Sequence, residues 1–326
     1  MNLMSVNIIR GNVLQVLPTL PDDHFDCVVT SPPYWGLRDY GVEGQIGLEP
    51  TMQGYLDTMV CVCRELRRVL KPEGTFWLNI GDSYASTPVG RFNGGGFKDT
   101  SAKNGTRDLS GVATSGIANK LIGSGLKNKD LCMIPNRLAI ALQEDGWYVR
   151  SEIIWHKPNP MPESVRDRPT SAHEKVWLLT KSDKYFYDAD AIAEDVTAST
   201  LLRLNQNIEY QIGSARGNGG SKANGNMKAV GGNEKRNSRN VWSITTKPFR
   251  GAHFATMPPE LAERCIKAGC PVGGSVLDPF GGAGTTGVAA NNLGRNATLI
   301  ELNEKYVTLA EERIYSVAPL LSTAGI

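Results

Sequence analysis

LDPFGGAGTTG, residues 277–287, is the stretch on which the fold turns. It stands between SVLD, which has the composition of a buried strand, and TTGVAANNLG, which reads as a helix ended by Gly294. Gly282, Gly284 and Gly287 meet the GxGxxG spacing, and Glu301 closes the next apolar run, ATLIEL. Glycines there permit a tight turn and let a ligand approach the backbone. An acid one strand later can accept hydrogen bonds from ribose hydroxyls. Strand, glycine loop, helix, strand and acid together predict an α/β fold that holds a nucleoside-containing cofactor.

The choice of cofactor follows from what surrounds the loop. Asp278 stands where a carboxylate could meet a cationic amino group, and Phe280 where a ring could flank a sulfonium or a purine. S-adenosylmethionine offers those features and NAD does not. The 48 residues after Asp278 leave room for about two strand–helix units, so the remaining strands of the sheet are expected upstream. An NAD-dependent oxidoreductase stays as the alternative from another enzyme class, since a dinucleotide could place its pyrophosphate on the helix N-terminus.

Working upstream, FDCVV reads as a strand that delivers TSPPYW, residues 30–35. Proline has no N–H for the ladder, so the strand ends there. Ser31, Pro32, Pro33 and Tyr34 then form a stiff ledge with carbonyls and no backbone donors at the prolines, beside the rings of Tyr34 and Trp35. Met52, Tyr55, Leu56, Met59, Cys63, Leu66 and Leu70 recur at helical spacing, with Thr51 as the start and KPEG (71–74) as the stop. TFWLNI follows as a strand, which makes a βαβ unit and a parallel sheet. IPNRLAIALQEDG and PPELAERCIKAG read as helices, the second with Gly269 just beyond it. WYVRSEIIW and EKVWLLTKS read as strands, and a last helix starts near Asn303.

Two stretches carry no core pattern. Residues 86–130 are rich in Gly, Ser, Thr, Asn and Lys and read as a flexible loop. Residues 213–240 carry Arg216, Lys222, Lys228, Lys235, Arg236 and Arg239 against Glu234 alone. That composition fits a solvated linker. Beside a DNA-modifying site it fits an arm that neutralises phosphates.

Composition bounds the rest. A hydrophobic fraction of 40% and a charged fraction of 21% suit a globular chain with a sizeable core, and a formal charge of +2 leaves the choice of partner to local clusters. No run is long and apolar enough to span a membrane, and the first residues lack a signal-peptide pattern, so a cytoplasmic protein is expected. The six cysteines form no CxxC pair and the histidines are scattered, so no metal site is expected and the thiols read as reduced and buried.

With TSPPYW and LDPFGGAGTT both placed, nearly the whole chain resembles the permuted β group of DNA amino-methyltransferases. The resemblance implies a Rossmann-like methyltransferase fold in the α/β class: a mostly parallel sheet with helices on both faces, a circularly permuted motif order and flexible insertions. TSPPYW resembles that family's catalytic motif and DPFGGAG its cofactor motif. The cofactor contacts implied are Asp278, Phe280, Gly282, Gly284, Thr285, Thr286 and Glu301. HFATMPPELAERCIKAG resembles the segment holding the methionine moiety, with His253 and Phe254. Asn12 stands where the family usually has an aspartate, and its carbonyl can still accept from the adenine amine. IIWHKPNPMP resembles the strand and loop that flank the target base. The resemblance implies residues 1–85 and 131–190 as a catalytic half, 191–245 as a target-recognition region and 246–326 as the cofactor half. It further implies double-stranded DNA as partner, a homodimer, and either a cognate restriction endonuclease or a modification enzyme that works without one.

The ledge then acquires a chemistry. An exocyclic base amine is a poor nucleophile because its lone pair is delocalised into the ring. Ser31 Oγ and the Pro32 carbonyl can accept its two protons and aim the lone pair, as preorganised acceptors should. The base must flip out of the duplex to arrive there, with Tyr34 as its stacking platform and Trp35 or Trp155 closing the other side. In this family Ser at the first motif position usually accompanies cytosine N4 methylation, and Asp or Asn adenine N6, so the resemblance implies cytosine N4 with adenine N6 as the alternative; both bases offer an amine donor beside a ring-nitrogen acceptor.

Overall fold

The structure, a computed structural model, describes residues 5–86, 120–121, 123–200, 235–246 and 257–317. Its strands are β1 (Val6–Arg10), β2 (Phe25–Thr30), β3 (Leu70–Ile80), β4 (Tyr148–His156), β5 (His173–Thr180), β6 (Glu194–Asp195), β7 (Lys235–Arg236), β8 (Val241–Ser243), β9 (Ser275–Asp278) and β10 (Asn296–Glu301). The main sheet runs β1-β10-β9-β2-β3-β5-β4-β8. From β1 to β3 all neighbours are parallel. β5 is antiparallel to both β3 and β4, and β8 runs parallel to β4. The expected mostly parallel α/β sheet is present. Cys27, Val28 and Val29 are buried in succession, as befits a strand covered on both faces.

The helices are α1 (Val13–Val16), α2 (Met52–Val69), α3 (Ile134–Glu144), α4 (Pro259–Gly269), α5 (Thr285–Asn292) and α6 (Glu304–Val317). In α2 the Thr51 side chain accepts from Gly54 N, and eight apolar positions from Met52 to Val69 are buried. Burying such a side chain contributes roughly 1.5–3 kcal/mol, so packing rather than propensity holds this helix. Two boundaries differ from expectation. KPEG does not separate α2 from a strand at Thr75. β3 begins at Leu70, and a register shift opposite, between Phe25 and Cys27, absorbs the proline-containing start. Gly269 is the last residue of α4 and not a residue beyond it. A Cβ there would stand 2.2 Å from Thr75 Oγ1 and 2.3 Å from Trp77 Nε1, so glycine lets the helix lie against the sheet.

Backbone contacts divide the chain into two compact units, one of residues 1–187 with 240–326 and one of 188–239. The first holds the sheet. Within it Ala85 N donates to Asp130 O at 2.7 Å, Lys129 N donates to Ala85 O at 2.9 Å, and Tyr84 bridges Leu131. The loop expected over 86–130 leaves and returns at this one point, and most of it lies outside the described residues. The second unit holds the antiparallel pair β6–β7. Among the described residues no helix is long and apolar enough to cross a membrane.

In the first unit, crossovers diverge between β9 and β2: β9 leads through α5 to β10 on one side, and β2 leads through α2 to β3 on the other. In open parallel sheets ligands bind outside the strands' carboxyl ends at such a switch point. Asp278 and Thr30 are the last residues of those two strands, so the glycine loop and TSPPYW emerge side by side.

Candidate active site

At the switch point Thr30 Oγ1 donates to Asp278 Oδ1 at 2.6 Å, Phe280 N donates to the same oxygen at 3.0 Å, and Thr286 Oγ1 donates to Oδ2 at 2.6 Å. Burial pushes the Asp278 carboxyl up, while Thr286, Thr30 and Phe280 pull it down. Asp278 lines the cavity described below, but both its oxygens already serve the protein. It clamps β2, the loop and the first turn of α5 together.

The glycines of the loop divide their work. A Cβ on Gly284, at φ 77, would come 2.8 Å from Ala310 Cβ, so this glycine seats α5 against α6. Gly282 has φ 49, and its nearest neighbour to an added Cβ is Phe280 O at 3.9 Å, so the space beside it is open. Glu301 Oε2 accepts from Gly282 N and Oε1 from Asn303 N, both at 2.7 Å. Burial raises the Glu301 pKa against these hydrogen bonds. An open backbone face with a half-buried acid beside it suits a nucleoside with ribose hydroxyls.

The ledge is held from behind and from the side. Tyr55 Oη donates to the Pro33 carbonyl at 2.9 Å, and takes that carbonyl rather than the Pro32 one assigned to the base amine. Tyr34 Oη donates to Glu174 Oε2 at 2.7 Å and lies 3.2 Å from Ser31 Oγ. Burial, then the negative charge of Glu174, push the Tyr34 pKa well above its ordinary value, so the phenol keeps its proton. A Cβ on Gly81 would meet Tyr34 Cε2 at 2.6 Å, so glycine makes room for the ring. Glu174 Oε2 also accepts from Asn79 Nδ2 at 3.1 Å, and Lys157 Nζ bonds Oε1. The Lys157 ammonium stands 4.5 Å from the centroid of the Trp155 ring, whose Nε1 donates to Ile244 O at 2.8 Å.

One cavity of about 310 Å³ joins these parts, a volume within the range of small-molecule sites. Ser31, Pro32, Pro33, Tyr34 and Trp155 line it together with Asp278, Phe280, Gly282, Thr285, Thr286 and Glu301. Asn12 lines it too, as N-cap of α1: its Oδ1 accepts from Leu14 N and its Nδ2 donates to Gly44 O.

Other expected site residues stand elsewhere. Trp35 is 1% exposed, and its Nε1 donates to Glu49 O. It belongs to the core, which corrects its expected place beside the base. Gly284 packs between helices instead of lining the cavity. His253, Phe254, Arg216, Lys222 and Lys228 lie outside the described residues. In the unit of residues 188–239, Arg236 and Arg239 both hydrogen-bond Glu194 Oε2, and Lys235 pairs in register with Asp195. The thiols are all free, five of them buried, but Cys61 is exposed. Among the described residues no cluster of His, Cys, Asp or Glu is placed to hold a metal.

The sequence reading missed Asn79, Lys157, Glu174, Tyr40 and Tyr306, all of which line the cavity. Tyr40 and Tyr306 meet edge to face at 6.3 Å. Asn79 carried a signal, as a lone amide in the apolar strand TFWLNI.

The chain matches the DNA methylase family over residues 25–312. It is 45% identical over 313 residues to the Type II methyltransferase M.SmaI of Serratia marcescens, covering 96% of this chain and 92% of that one. It is 44% identical over 314 residues to M.Cfr9I of Citrobacter freundii, covering 96% and 89%. Among solved structures, the PvuII DNA methyltransferase (cytosine-N4-specific) has a TM-score of 0.60 at 18% identity, covering 98% of this chain and 94% of that one. A Thermus thermophilus protein, a putative DNA modification methylase complexed with S-adenosyl-L-methionine, has a TM-score of 0.55 at 22% identity, covering 97% of each chain. These two share the fold. On the family match and on the close relatives together, the chain belongs to the DNA methylase family and is an S-adenosylmethionine-dependent DNA methyltransferase.

Proposed function

We propose that the protein methylates the exocyclic N4 of a cytosine flipped out of double-stranded DNA, at a specific site, as the modification partner of a restriction endonuclease. The observation that carries this reading is the shared cavity: the Ser31–Tyr34 ledge and the Gly282 loop open on one space. S-adenosylmethionine supplies an electrophilic methyl group when bound. The open face at Gly282 and the acid of Glu301 fit its nucleoside, and Phe280 fits beside its purine or sulfonium.

The chain's own residues do the rest. Ser31 Oγ and the Pro32 carbonyl grip the two amine protons, which turns the nitrogen lone pair toward the methyl group. Holding both reactants in register supplies much of the rate, and fixed acceptors need no reorganisation during reaction. Tyr34 offers its ring to the flipped base, a contact worth about 1–3 kcal/mol, and Trp155 stands in the same cavity. Ser31 at the first motif position favours cytosine over adenine, and the name of the PvuII enzyme, cytosine-N4-specific, supports the same choice.

The test is direct. DNA is methylated with labelled cofactor, digested to nucleosides and the product identified by mass. N4-methyldeoxycytidine is expected. N6-methyldeoxyadenosine would overturn the choice of base, and no labelled nucleoside would overturn the reaction.

A further inference from the structure

The cluster around Glu174 fixes the direction of every hydrogen bond that reaches Ser31. A carboxylate only accepts, and Glu174 is met by three donors: Lys157 Nζ on Oε1, and Asn79 Nδ2 and Tyr34 Oη on Oε2. The single hydroxyl proton of Tyr34 is therefore committed at 2.7 Å to Glu174. Asn79 Oδ1, at 3.5 Å, is the poorer acceptor for it. Tyr34 Oη then has only lone pairs to offer Ser31, 3.2 Å away. Ser31 accordingly donates to Tyr34, and its own lone pairs remain for a third partner in the cavity.

We propose that Glu174 is a positioning residue which, through Tyr34, holds Ser31 as an acceptor toward the amine of the target base. This rests on the reading of the ledge given above. Without the carboxylate, the Ser31 and Tyr34 hydroxyls can point either way round, and one of the two arrangements presents a proton to the amine protons. Lys157 contributes by occupying the second oxygen, which leaves Oε2 for Tyr34 and Asn79.

Glu174→Gln is the test, because it keeps the shape. The new amide must turn its NH2 toward Lys157 or toward Tyr34 and Asn79, all of them donors. Relief comes by reversing the Tyr34 and Ser31 hydroxyls. In single-turnover methylation the expected loss is about a hundredfold, the size of one lost preorganised hydrogen bond, with cofactor affinity by calorimetry unchanged. The second readout is a double-mutant cycle with Tyr34→Phe. Once Tyr34 lacks its hydroxyl the chain is cut, so adding Glu174→Gln is expected to cost nothing more. A merely structural Glu174 would cost as much in that background as in the native one. Full rate in Glu174→Gln, or an equal loss in both backgrounds, overturns the proposal. If Glu174→Gln does not fold, Tyr34→Phe alone decides: full rate there overturns it as well. A native protein that leaves DNA unmethylated overturns the reading of function itself, whereas an active native protein with an equally active Glu174→Gln overturns only this inference.

Discussion

Thr30 and Asp278, 248 residues apart in sequence, are joined by a 2.6 Å hydrogen bond at the place where the sheet's crossovers part. That bond ties the strand that delivers the ledge to the strand that delivers the glycine loop. Its acceptor is buried, and burial followed by the pull of Thr286, Thr30 and Phe280 leaves the carboxyl above its ordinary value of 3.8. A group whose folded pKa is raised supports the fold fully below its unfolded pKa and loses that support as pH rises through the folded one. The stability advantage of the native protein over Asp278→Asn should therefore shrink as pH rises from about 4. Urea denaturation of both proteins across that range measures it, and a gap independent of pH would oppose the assignment.

The two positive-φ glycines of the loop, Gly282 and Gly284, should fail differently. Gly282→Leu places a side chain in open space beside the loop, at a backbone cost of about 1–2 kcal/mol. The variant should fold and lose cofactor binding by calorimetry. Gly284→Val drives carbon into Ala310 and should lower the melting temperature first. Equal behaviour of the two would show that the loop has no open face.

Ser31→Ala removes one acceptor from the ledge without touching the loop. The single-turnover rate should fall by about 10²–10³, and cofactor affinity should persist. Tyr34→Ala removes the stacking platform and the link to Glu174 and should abolish methyl transfer with the same preserved affinity. A weakened cofactor complex in either variant would place the residue in the wrong half of the cavity.

The thiols are predicted to be bystanders. Burial pushes the Cys63 and Cys265 thiols up, and Cys270 up to about 12. Cys61 alone is exposed. A thiol reagent should therefore react quickly at Cys61, slowly elsewhere, and leave methyl transfer intact. Fast inactivation would point to a cysteine in the chemistry.

What the sequence disclosed was what is local. The glycine loop, the proline ledge and the apolar stripe of α2 each state their structure within one short continuous stretch, so strand, turn and helix could be assigned. Trp35 was misplaced because adjacency to Tyr34 says nothing of direction. The backbone after the prolines turns its ring into the core, where Glu49 takes its N–H. Glu174 and Lys157 gave no sign because their meaning depends on pairing across strands. β5 lies antiparallel to β3, and that register brings Glu174 to Asn79 and Tyr34 from 95 and 140 residues away. The exposed Cys61 sits two residues from a buried Cys63 on the same helix, a difference of face rather than of composition.

The backbone hydrogen bonds that Ala85 makes with Asp130 and Lys129 carry a consequence for the length of chain between them. Both edges of that excursion are sealed to each other by backbone bonds, and on the return Asp130 is held further by Lys127. Lengthening an insertion raises its closure cost only slowly. A frame pinned in this way tolerates a change in the length of that excursion at small thermodynamic cost.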